Sequence, residues 1–168
     1  MIKQFIIKSE ESSEHWSECD IKDKSILDLG CGRWSVMNAE ETTPFYFSKH
    51  GALKLIGVDI LQQEIDYYNS CKIDNCEFIC DNIDSPEKII NLISSNKIDA
   101  IKCDIEGNEI HLFKLSKEDM DSIKSIWIEY HGNDIKSICE TKLSEWGFNT
   151  YAIGYLCIYG YGVIFAKK

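Results

Sequence analysis

The chain reads as an α/β protein whose mostly parallel sheet finishes in an antiparallel hairpin. Five short apolar runs, SILDL, LKLIGVD, CEFICD, IDAIKCDI and SIWIEYH, recur with helical stretches between them, which is the pattern of βαβ units. The runs are nearly continuous in apolar residues, as strands covered by helices on both faces must be. After Gly147 the segment FNTYAIGYLCIYGYGVIFAKK holds two β-rich runs with no room for a helix between them, so these two must pair antiparallel.

The first 24 residues are the least legible. Ile2 to Ile7 reads as a strand, followed by a polar helix or lid, and residues 1–24 are set apart from a domain over 25–168. SILDL (25–29) opens that domain. Thr43-Pro44 ahead of FYFSKHGA supplies a cap and a first-turn proline, so residues 33–43 read as a loop. LKLIGVD (53–59) and CEFICD (76–81) follow as strands, and Asp84-Ser85-Pro86-Glu87 starts the helix KIINLIS. After IDAIKCDI (98–105), Ser116 with Asp119 has the form of a capping box for a short helix. SIWIEYH (125–131) is the fifth strand. Asn133 then caps a helix that turns Ile135, Ile138, Leu143 and Trp146 toward the sheet and ends at Gly147. With the hairpin, the sheet has seven strands.

At 168 residues, 44% hydrophobic and 27% charged, the chain suits one domain around one core. No apolar run approaches the roughly 18 residues of a membrane span, and MIKQFIIKSEE turns acidic too soon for a secretory signal. A cytoplasmic protein without a membrane partner is expected. The 18 basic residues against 28 acidic ones leave a net charge of −10. That charge repels a phosphate backbone unless basic residues cluster; none do, so nucleic acid is not an expected partner. Eight cysteines include no CxxC pair, and CKIDNCEFIC matches no common zinc spacing. Reduced, mostly buried thiols are expected, with Cys80 and Cys103 acting as small hydrophobes in strands.

Ligands of open α/β sheets sit beyond the carboxyl ends of the strands, where strand order reverses. Asp28, Gly30 and Gly32 close the first domain strand, Asp59-Ile60 the second and Asp81-Asn82 the third. Asp59 can accept from both hydroxyls of a ribose, and Asp81 from an adenine amino group; the other reading of these aspartates is as caps or turn residues. A dinucleotide wants a helix directly behind the glycines and a small residue at the sixth position of GxGxxG. Here the helix signal comes about a dozen residues late and Ser35 holds that position. S-adenosylmethionine, cationic and without phosphate, suits an acidic turn better. The expected contacts to it are Asp28, Gly30, Gly32, Trp34, Asp59, Ile60, Asp81 and Asn82, with the Trp34 ring covering the ligand.

AIKCDIEGNEIHLFK (100–114) places Lys102, Asp104 and Glu106 on one face by strand periodicity, then Gly107, then Glu109 opening a helix. The fifth strand brings Glu129 and His131 to the same edge. Lys102 either pairs with Asp104 or Glu106 or extends its amine to the sheet edge. The string IKCDIEGNE, with IEYH ending the next strand, resembles the Lys-x-Asp-x-Glu-Gly-x-Glu signature of FkbM-type methyltransferases, a group of the class I S-adenosylmethionine-dependent enzymes. The similarity covers about residues 25–168. It implies the Rossmann-like class I methyltransferase fold and O-methylation of a small-molecule or glycan hydroxyl. This chain departs from the class where Trp34 replaces a small residue and where no helix directly follows the turn.

Transfer to a hydroxyl requires a base. His131 ranks first and Asp104 second, with Glu106, Glu109 and Glu129 orienting or binding the substrate. His131 can equally be a strand-end histidine satisfied by backbone. No metal ligand is assigned, although Asp104, Glu106, Glu129 and His131 form an oxygen-rich set that would suit magnesium or manganese. Tyr151, Tyr155, Tyr159 and Tyr161 read as strand formers, or as rings that stack on an acceptor. Two other functions stay open: a non-catalytic binder of the same cofactor, and a nicotinamide-dependent oxidoreductase. Edge-strand logic allows a monomer or a homodimer.

Overall fold

The structure, a computed structural model, describes residues 1–7, 13–32, 42–156 and 160–168. Eight strands, β1 (Lys3–Ile7), β2 (Ser25–Leu29), β3 (Lys54–Asp59), β4 (Cys76–Cys80), β5 (Ala100–Cys103), β6 (Ser125–His131), β7 (Asn149–Leu156) and β8 (Tyr161–Lys167), form one sheet in the order β1-β7-β8-β6-β5-β2-β3-β4. Among the described residues only β8 runs against its neighbours, β6 and β7. The strand beyond the predicted seven is β1, which pairs parallel with β7 from Lys3↔Ala152 to Ile7↔Leu156. Of its residues only Ile7 is buried, which is why its apolar pattern is faint.

The α-helices are α1 (Thr43–Lys49), α2 (Gln62–Cys71), α3 (Pro86–Asn96), α4 (Glu109–Leu112) and α5 (Asn133–Glu145), and a short 3-10 helix spans Ser13–Glu18. Alternating strand residues feed two cores. Leu27, Leu29, Ile101, Cys103, Ile126 and Ile128 pack with Ile89, Ile93, Leu112, Leu143 and Trp146 of α3, α4 and the end of α5. On the other face Ile26, Ala100, Trp127 and Phe165 pack with Trp16 and Phe47. Helices therefore cover both sides, as the unbroken apolar strands require. Among the described residues no helix is long and apolar enough to cross a membrane.

Local signals hold with four corrections, one being that Thr42 takes the cap position of α1 and Thr43 is its first helical residue. Prolines 44 and 86 sit in the first turns of α1 and α3, and Gly147, with φ +84°, lets Phe148 N donate to Leu143 O at 2.8 Å as α5 ends. At the start of α5, however, Gly132 holds the cap position and Asn133 is the first helical residue. Ser116 and Asp119 do exchange reciprocal bonds of 2.8 and 3.1 Å, yet they close turns over 117–122 and no helix follows. The chain must re-enter the sheet at Ser125, too soon for a helix to propagate. Cys80 is exposed, because β4 is an edge strand, whereas Cys31, Cys103 and Cys139 are buried free thiols. Cys157 lies outside the described residues.

Candidate functional site

From β2 the sheet grows outward to β3 and β4, and the chain then crosses back to place β5 and β6 on the other side. Strand order therefore reverses between β2 and β5. A cleft of about 470 Å³, counting its open mouth, lies there. Gly30, Val58, Asp59, Ile60, Asp81, Asn82 and Ile83 line one wall, and Asp104, Ile105, Glu106 and Asn108 the other.

The two glycines are needed for approaches within the protein itself. Gly30 has φ +76°, and a Cβ on it would fall 1.6 Å from the Asp104 carbonyl oxygen. Its N–H and that of Cys31 both donate to Val58 O, at 2.9 and 3.1 Å. A Cβ on Gly32 would meet Asp59 Oδ2 at 2.5 Å, the same oxygen that accepts Gly32 N–H at 2.8 Å. Leu61 N–H donates to Asp59 Oδ1 at 2.8 Å. Two backbone donors thus aim the Asp59 carboxylate, and each oxygen keeps a lone pair for a further donor. Asp81 Oδ1 takes Lys88 Nζ at 2.8 Å, and Lys88 is also 3.2 Å from Asp84. Trp34 lies outside the described residues.

Asp28, expected at the cofactor, is instead fully buried beneath the turn. Oδ2 accepts the Thr43 hydroxyl, and Oδ1 lies 3.2 Å from Lys102 Nζ. The register sets Asp28 beside Lys102 on adjacent strands, so both side chains enter the same face. Lys102, 2% exposed, does not reach the sheet edge. Its ammonium donates to Gly30 O at 2.7 Å, lies 3.5 Å from Asp104 Oδ2 and sits 5.7 Å from the Trp16 ring centre. Burial alone would lower its pKa, but Asp28, Asp104 and Glu129 outweigh it and hold the lysine charged, above its ordinary range.

Asp104, Glu106 and His131 converge, each offering a ligand atom within 4.8 Å of the others. Glu106 lies in the left-handed region at φ +49°, and its Oε2 is 3.6 Å from His131 Nε2. On the other side of the ring, Glu109 Oε1 is 3.3 Å from Nδ1. Glu109 is fully buried, and its Oε2 accepts Gly107 N–H at 2.8 Å. It therefore cannot touch a substrate as expected, and orients the imidazole from behind. Glu109 as partner, over the opposing effect of burial, pushes the His131 pKa up to about 9. Burial, and then the charge of Asp104, push the Glu129 carboxyl up to about 8.

Several residues here take places that the sequence did not assign to the site. Tyr161 stands edge-on to His131 with ring centres 5.2 Å apart, set there by the β6–β8 register. Thr43 reads as a helix cap but serves as the partner of Asp28. Val58, Ile83, Ile105 and Asn108 line the cleft, and only their adjacency to the strand-end acids could have marked them.

No family model and no curated protein matches the chain. Solved structures do. Fibrillarin of Aeropyrum pernix, in complex with natively bound S-adenosyl-L-methionine, superposes with a TM-score of 0.62 at 15% identity, over 89% of this chain and 69% of that one. An S-adenosylmethionine-dependent methyltransferase from Mesorhizobium loti gives 0.60 at 9% identity, over 92% and 95%. A Streptococcus mutans chain in complex with SAH gives 0.58 at 14%, over 97% and 99%. The likeness establishes the fold, a Rossmann-like α/β methyltransferase fold with a mostly parallel sheet and a C-terminal antiparallel hairpin.

Proposed function

We propose that the chain is an S-adenosylmethionine-dependent O-methyltransferase of the FkbM type, acting on a hydroxyl of a small molecule or glycan. The observation that carries this reading is that Gly30, Asp59 and Asp81 share one cleft with Asp104 and Glu106 at its opposite wall. The lining fits the cofactor by its chemistry: carboxylates for hydroxyls and an amino group, apolar Val58, Ile60, Ile83 and Ile105 for a planar base, and, among the described residues that line it, no basic side chain to seek a phosphate. When bound, the cofactor supplies a methyl group on a cationic sulfur, open to in-line displacement.

The residues at the Asp104 end then handle the acceptor. His131 carries its own proton at neutral pH, so the expected order of bases reverses. Asp104, whose side chain is 22% exposed, takes the acceptor proton, and His131 with Glu106 orients the substrate. Asp59, Asp81, Asp104 and Glu106 line the cleft and repel a polyphosphate, which favours a small neutral acceptor over RNA.

Calorimetric titration tests the reading. S-adenosylmethionine and S-adenosylhomocysteine should bind, and NAD should not. Asp59→Ala should weaken binding by about 2–3 kcal/mol, the loss of charge-assisted bonds to a ribose, or roughly 30- to 150-fold. Absence of binding to folded wild-type protein would sink the proposal.

A further inference from the structure

We propose that Asp104, Glu106 and His131 form a divalent-cation site at the edge of the cofactor cleft, with Glu109 fixing the imidazole from behind. The three ligand atoms already lie within 4.8 Å of one another. Three ligands around one ion with bonds near 2.1 Å stand roughly 3.0–3.6 Å apart; Glu106 Oε2 already lies 3.6 Å from His131 Nε2, so a shift of about 1 Å in the side chains closes the set.

A second observation points to the same ion. Glu109 is fully buried, and its Oε1 has no formed hydrogen bond. That oxygen is aimed at Nδ1 of His131 from 3.3 Å, and Nδ1 is likewise buried and without a formed bond. A carboxylate behind one ring nitrogen, with the other nitrogen facing the site, is the arrangement that fixes a metal-binding histidine. The charge balance agrees. Asp104, Glu106 and Glu109 surround a space whose one permanent cation, Lys102, is shared with buried Asp28, and His131, the other cation there, gives up its proton when it takes the ion. Glu129 makes no hydrogen bond or ion pair among the described residues, and it stands one register step past the Cys103↔Ile128 pair.

One imidazole and two carboxylates favour manganese over magnesium, which prefers oxygen alone. Three protein ligands leave room in an octahedral shell for two adjacent acceptor oxygens, such as those of a vicinal diol or a hydroxy acid. This last step rests on the methyltransferase reading; the cation site itself does not.

The test is titration of the full, EDTA-stripped chain with MnCl₂, reading the free Mn²⁺ signal by electron paramagnetic resonance. One equivalent should bind. Glu106→Gln, at a side chain 67% exposed, should fold normally and weaken binding at least tenfold, while Glu109→Gln should weaken it about 10- to 100-fold through the imidazole. Thermal unfolding checks the fold of both variants. Failure of wild type to bind Mn²⁺ at millimolar concentration, or equal binding by Glu106→Gln, overturns the cation site. If S-adenosylmethionine still binds in that case, the methyltransferase reading survives. Mn²⁺ binding without cofactor binding would instead keep the cation site and sink that reading.

Discussion

Lys102→Met is expected to remove about 3–5 kcal/mol of folding stability, the usual effect of taking one partner from a buried ion pair. The ammonium is 2% exposed and lies against Asp28 Oδ1, Asp104 Oδ2 and the Gly30 carbonyl. Methionine fills much of the volume but leaves Asp28 charged and fully buried, with the Thr43 hydroxyl as its only side-chain donor among the described residues. The stranded carboxyl then takes up a proton, so the variant should be destabilised less at pH 4 than at pH 8. Adding Asp28→Asn removes the charge, keeps an acceptor for Thr43, and should recover about 1–2 kcal/mol. Urea unfolding of wild type, the single variant and the double variant measures all three values. Equal destabilisation at both pH values, without recovery in the double variant, would mean that the methionine fails by packing and that the pair is not what holds β2 to β5.

That pair also shows where sequence reading ran out. Strand identity was legible because both faces of the central sheet are covered, so β2, β3, β5 and β6 stand out as apolar runs. A lysine and an aspartate inside such runs are plainly anomalous, and IKCDIEGNE marks its own importance. What a one-dimensional pattern cannot carry is register. Asp28 sits beside Lys102 only because β2 and β5 pair as they do, and this turns Asp28 from an apparent ligand contact into a buried counter-ion. Glu109 illustrates the same limit. Its place at the start of α4 reads as an open cleft position, yet the turn at Glu106 and Gly107, both at positive φ, folds it inward behind His131. The glycines were legible as obligatory, but the partner each must approach, Asp104 O for Gly30 and Asp59 Oδ2 for Gly32, belongs to the tertiary structure.

The register that gathers these acids predicts how the fold responds to pH. In EDTA, stability should be greatest near pH 5 and fall by roughly 2–4 kcal/mol by pH 9. Glu129 is pushed up to about 8 from an ordinary 4.5, so between those values the native state keeps a proton that the unfolded chain has lost. His131, pushed up to about 9 from 6.5, does the same over the higher range. In both cases the native state binds more protons, and its advantage shrinks as pH rises through the folded pKa. The two effects overlap and do not add in full, because both groups face Asp104 and Glu106. Glu109 is held below its ordinary range, so its stabilisation is lost only as the pH drops under about 4.5. Glu129→Gln should flatten the curve from pH 5 to 8 and leave the decline toward pH 9, while His131→Gln should remove that later decline. Thermal unfolding at pH 5, 7 and 9 separates the two contributions, and an unchanged slope in Glu129→Gln would place the protons elsewhere. Where the slope does flatten, the excess negative charge lies at the mouth of the cleft, beside the residues proposed to receive the acceptor and its cation.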